Sequence, residues 1–177
     1  MTKESVAYAR ASGRDVLIEA ELGNIGMSSK LLDGIPEGAE ITDDMLTTAE
    51  DLAGFVKETG IDLVAPAVGN LHGMLKSGNN PKLNIARIKE PNEAGGIPMV
   101  LHGGSGISDE DFSAAIEAGI ACVHINTEIR AAYKGGIKDY LNDPEHAEEV
   151  APYRFLSKGR DELEKVVTDR LKFFNRL

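Results

Sequence analysis

Positive charge, cysteine and long apolar runs are all scarce in this sequence, and each scarcity closes off a class of function. Nineteen Lys and Arg stand against 29 Asp and Glu, for a formal net charge of −10 with His neutral. So acidic a chain is a poor surface for nucleic acid or an anionic membrane. A phosphorylated small molecule would need positive charge assembled locally. The single cysteine, Cys122, excludes an internal disulfide, and within Ile120-Ala121-Cys122-Val123 it reads as an inert core residue. No run of about 18 apolar residues occurs and the N-terminus lacks an apolar h-region, so the expectation is a cytoplasmic protein. What is present suits a soluble globular protein: 42% hydrophobic and 27% charged residues. At 177 residues the chain can bury one sizeable core, and residues 1–177 are read as a single domain.

The hydrophobic pattern switches repeatedly between strand and helix periods. Residues 1–13 read as a helix stopped at Gly13, and Val16–Leu22 as a strand. A long polar connection, Gly23 to about Asp44, follows. Thr47 with Glu50 suggests a capping box for a helix that carries Leu52, Phe55 and Val56 and stops at Gly60. Leu63–Val68 is a second strand, weakened by Pro66, and Leu83–Lys89 a short helix ended near Pro91. Pro98–Leu101 and Ala121–Ile125 are further strands, followed by helices over Ser108–Ala118 and Ile129–Leu141. An amphipathic helix from about Arg160 to Phe174 ends the chain. Such alternation predicts an α/β fold with about four parallel strands, whose chemistry sits at the strands' carboxyl ends.

The residues at those ends are Glu21, His72, His102 and Asn126. The stretch Val100-Leu101-His102-Gly103-Gly104-Ser105-Gly106 is the most informative. It reads either as a metal-capable histidine beside an anion-binding glycine turn or as a plain strand-to-helix turn with a buried histidine. His72, at the equivalent place in Gly69-Asn70-Leu71-His72-Gly73, favours the ligand reading. Two histidines and a carboxylate suit Zn2+ or another divalent metal. The amides of Gly103, Gly104 and Ser105, and those that follow His124, could take a phosphate. Lys76 could supply positive charge, or be a solvated loop lysine; Glu19 could simply face solvent.

Together these pieces resemble the class II, metal-dependent fructose-bisphosphate and tagatose-bisphosphate aldolase family. The matching segments are Glu19-Ala20-Glu21-Leu22-Gly23, Gly69–Gly73 with Lys76, Leu101–Gly106 and Ile125-Asn126-Thr127-Glu128, and the similarity covers essentially the whole chain. The resemblance implies a TIM barrel whose C-terminal half, with a C-terminal helix, is present here. It also implies reversible zinc-dependent cleavage of a ketose bisphosphate to dihydroxyacetone phosphate and an aldehyde, fructose or tagatose being undecided. By motif, His72 and His102 resemble zinc ligands and Glu21 a ligand of a second or alternative metal position. Gly73, Gly103, Gly104, Ser105, His124, Ile125, Asn126 and Thr127 resemble the segments that hold dihydroxyacetone phosphate.

The chain departs from the family in three places. The first half of the barrel, with the third zinc-binding histidine and the aspartate acid/base, has no counterpart, so no catalytic proton donor is assigned. His124 replaces an asparagine, and Tyr153, next to Arg154, stands at the family's arginine position. The expectation is a half-barrel that acts with a complementing N-terminal half or self-associates. The alternatives are a non-catalytic metal- or phosphosugar-binding remnant and a structural fragment.

Overall fold

The computed structural model describes residues 1–26, 28, 30–35, 41–78, 80–93 and 96–177. The chain is α/β and divides into two compact units, Met1–His124 and Ile125–Leu177. The first contains α1 (Thr2–Ala11), β1 (Glu19–Leu22), β2 (Leu31–Leu32), α2 (Ala49–Thr59), β3 (Leu63–Pro66) and β4 (Met74–Leu75). It continues with α3 (Ala86–Glu93), β5 (Met99–Leu101), α4 (Asp109–Ala118) and β6 (Ile120–Val123). The second contains α5 (Thr127–Asn142) and α6 (Pro152–Phe174).

The predicted parallel sheet is present, in the order β1-β3-β5-β6, with every pairing parallel. Each strand therefore lies beside the next main strand in sequence, separated from it by a helix, as in a (β/α) barrel. A short parallel ladder, β2–β4, ties two of the connecting loops together at Leu31–Met74 and Leu32–Leu75. Strand β2 lies in the long connection expected from Gly23 to Asp44, of which residues 27, 29 and 36–40 fall outside the described set.

Local chemistry fixes most element ends. Thr48, not Thr47, caps α2, its hydroxyl accepting from the Asp51 amide at 3.0 Å. Thr47 is buried and serves the sheet instead: its hydroxyl donates to the Leu22 carbonyl and accepts from the Ala67 amide, both at 2.9 Å. Ser108 caps α4 by accepting from Asp111 at 3.1 Å, and Gly60 closes α2 with φ +70. Pro66 takes the last place of β3, opposite Leu22, and the ladder passes over it to the Ala67 amide. Pro91 does not end α3 but lies inside it, and both it and Ile88 are buried.

Phe112, Leu52, Ile88, Met99, Leu101, Val64, Val68 and Val100 form the fully buried centre of the first unit. Helices α1, α2, α3 and α4 pack each against the next. Cys122 departs from the sequence expectation: it is exposed. The apolar run that suggested a core position belongs to β6, which among the described residues is an edge strand paired with β5 alone.

Asp62 secures the entry to β1. It accepts two bonds from the Arg10 guanidinium at 2.7 and 2.6 Å and one from the Ile18 amide at 2.7 Å. Arg10 first, then the Ile18 amide, holds its carboxyl below the ordinary 3.8. A carboxyl lowered in this way adds stability above its unfolded pKa and loses it as pH falls through the lower folded value. Asp62→Asn is therefore expected to lower the urea midpoint at neutral pH. The gap from wild type should close as pH drops below about 3.8; a gap that stays constant with pH would contradict this.

In the second unit, α5 and α6 approach closely at glycines. A Cβ on Gly136 would sit 2.9 Å from the Lys158 carbonyl carbon, and one on Gly159 2.8 Å from the Tyr133 carbonyl oxygen. Glu128 and Arg170 are paired at 2.7 Å. Helix α6 begins eight residues earlier than the apolar stripe indicated, because Pro152 occupies its first turn, where a missing amide costs nothing. Among the described residues no helix is long and apolar enough to cross a membrane.

Candidate metal centre

Strand β1 and the segments that follow β3, β5 and β6 bring five polar side chains together in the first unit. Glu19 and Glu21 are two apart on β1, so they point to the same face of the sheet. His72 follows β3, His102 follows β5 and His124 follows β6. The three imidazoles are stacked, with centroids 5.8 Å apart for His72–His102 and 4.8 Å for His102–His124.

His102 is the hub. Its Nδ1 lies 2.8 Å from Glu21 Oε2 and its Nε2 2.7 Å from Glu19 Oε1. A neutral imidazole carries a single N–H, so it can donate to one of these carboxylates but not to both. A proton or a metal ion between ring and carboxylate satisfies the remaining contact. His72 is oriented from behind: its Nδ1 lies 2.9 Å from the Gly26 carbonyl, which can only accept. Nδ1 therefore carries a proton, and in the neutral ring Nε2 is the lone pair, 4.0 Å from Glu21 Oε2.

Two sets of three result, Glu21–His72–His102 and Glu19–His102–His124, each with its ligand atoms within 4.8 Å of one another. Two imidazole nitrogens and a carboxylate oxygen form a donor set that fits a zinc-type ion, with a coordination position left open. The first set is the one expected from sequence. Glu19, which by sequence could simply face solvent, belongs to the second set. The i, i+2 spacing from Glu21 was the available signal.

The glycine turn after β5 is built for contact with the His72 loop. Gly103 has φ +62, and a Cβ there would lie 2.7 Å from the Leu71 carbonyl carbon. Gly73, at φ +108, is less crowded, with the Lys30 carbonyl oxygen 3.1 Å from such a Cβ. Buried Asn70 joins the two loops, donating to the His102 carbonyl and accepting from the Val68 amide, each at 2.9 Å. Asn80 adds a bond to the Ser105 carbonyl at 2.7 Å. Neither asparagine carried a recognisable signal in the sequence.

The structure also qualifies the anion-binding expectation. The Gly104 amide donates to the His124 carbonyl at 3.0 Å, so it is already engaged. Ser105 is buried, and Lys76 is paired with Asp33 at 2.6 Å on an exposed surface. Ile125, Asn126 and Thr127 belong to the second unit, where Asn126 precedes α5 and Thr127, buried, is its first residue. Tyr153 is exposed there, and Arg154 pairs with Glu149 at 3.2 Å.

The class II fructose-bisphosphate aldolase family model matches residues 1–176. The fructose-bisphosphate aldolase of Staphylococcus aureus is 35% identical over 173 residues, covering 98% of this chain and 56% of that protein. The aldolase of Geobacillus stearothermophilus is 35% identical over 175 residues, with the same coverage. Among solved structures, the YdjI aldolase from Escherichia coli K12 superposes with a TM-score of 0.70 at 29% identity, covering 98% of this chain and 52% of that one. The chain thus spans about half the length of the relatives it matches. It belongs to the class II fructose-bisphosphate aldolase family.

Proposed function

We propose that this chain supplies the C-terminal half of a zinc-dependent aldolase site. The site would cleave a ketose bisphosphate reversibly to dihydroxyacetone phosphate and an aldehyde, in concert with an N-terminal half-barrel. The observation that carries the reading is the convergence of His72, His102 and Glu21, with ligand atoms within 4.8 Å, at strand ends of a parallel sheet. A divalent ion held there supplies Lewis acidity, drawing electron density from a substrate carbonyl.

The chain's own residues prepare for this. The Gly26 carbonyl fixes the proton on His72 Nδ1 and so aims Nε2 at the site. Asn70 locks the strand end that carries His102. With the Gly104 amide engaged, the phosphate reading rests on Gly73 and Gly103, with Lys76 as local positive charge if it exchanges Asp33 for phosphate. Surface ion pairs of this kind are worth about 1 kcal/mol or less, so a dianionic phosphate competes well.

The test is a coupled assay for ketose-bisphosphate cleavage with zinc present, using the chain alone and mixed with the N-terminal half of a class II relative. Turnover is expected in the mixture and should vanish on chelation. A mixture without turnover would overturn the proposal.

A further inference from the structure

We propose that Glu19, His102 and His124 form a second metal site, separate from Glu21–His72–His102, and that the two compete for one ion through His102. The ligand atoms of this second set lie within 4.8 Å of one another. His102 Nε2 is 2.7 Å from Glu19 Oε1, and His124 Nε2 is 3.7 Å from Glu19 Oε2. His124 is half exposed, which leaves an approach for an ion from solvent. His124 supplies the third ligand, at the position where the resemblance implies an asparagine.

The competition follows from the ring itself. A neutral imidazole has one lone pair, so His102 ligates through Nδ1 or through Nε2. When an ion lies with Glu21 and His72, Nδ1 is the ligand and Nε2–H donates to Glu19. When it lies with Glu19 and His124, Nε2 is the ligand and Nδ1–H donates to Glu21. The carboxylate of the empty set thus becomes the hydrogen-bond partner that orients the ligating ring of the filled set. Both positions are already within 2.8 Å of the nitrogen concerned. Two nitrogens and one oxygen favour zinc or cobalt(II) over calcium or magnesium. The inference concerns affinity and ligation, so it stands or falls independently of aldolase turnover.

The experiment is titration of the full chain with zinc by calorimetry and with cobalt(II) by visible absorption. Wild type is expected to bind one ion. His72→Ala should still bind one, with affinity reduced no more than about 10-fold and an altered cobalt spectrum. Adding His124→Asn or Glu19→Gln to His72→Ala should each weaken binding by about 100-fold or more. Circular dichroism and urea midpoints establish that each variant is folded. Binding abolished by His72→Ala alone, no change on adding the second substitution, or two ions per chain would each overturn the proposal.

Discussion

Gly103→Ala is expected to destabilise the folded chain by about 3 kcal/mol. A left-handed φ costs a non-glycine residue about 1–2 kcal/mol, and overpacking adds about 1–3 kcal/mol. Both apply at this position, where φ is +62 and the Leu71 carbonyl lies against the site of the missing Cβ. In a thermal melt of a chain this size the loss corresponds to roughly 6–12 °C. The clash is with backbone, so no side chain can rotate away to relieve it. Relief by moving the Leu71–His72 segment would also carry His72 away from His102, so zinc affinity should fall with stability. Gly135→Ala is the control: it faces open space within α5 and should be neutral or stabilising by about 0.5–1 kcal/mol. Matching melts for the two variants would refute the close-approach argument.

His102→Ala is expected to remove zinc binding almost entirely, with affinity falling by about 100-fold or more. The reason is topological. Each set of three contains His102, so its loss leaves two ligands in either place. The thermal shift produced by zinc should vanish with it, since a ligand at 100 times its Kd stabilises by about 2.7 kcal/mol. Without metal, the variant should melt close to wild type, because the side chain lies at the rim and outside the buried centre. A zinc-induced shift that survives in His102→Ala would place the ion elsewhere in the chain.

The parallel sheet and its rim were legible because strand–helix alternation leaves a strong periodic trace, and parallel topology then dictates which strand ends carry chemistry. That rule names Glu21, His72 and His102 as candidates. It passes over Glu19, although two-residue spacing on one strand carried the information. Cys122 was misread because an apolar run does not distinguish a central strand from an edge one. The Gly104 amide illustrates a different limit: its use depends on a carbonyl 20 residues away that no local pattern announces. The same holds for Thr47, Asn70 and Asn80, whose bonds hold loops that are adjacent only once the sheet exists. Pro152, by contrast, was a readable start signal for α6 that the apolar stripe obscured.

The contacts of His102 with Glu21 and Glu19 span 81 and 83 residues of sequence. Pairings of such separation form late, because chain entropy must be spent before they repay it. Neither candidate set can close until β1, β3 and β5 have all come into register. Metal uptake during refolding should therefore lag behind helix formation, and the rate of that uptake becomes a clock for completion of the sheet.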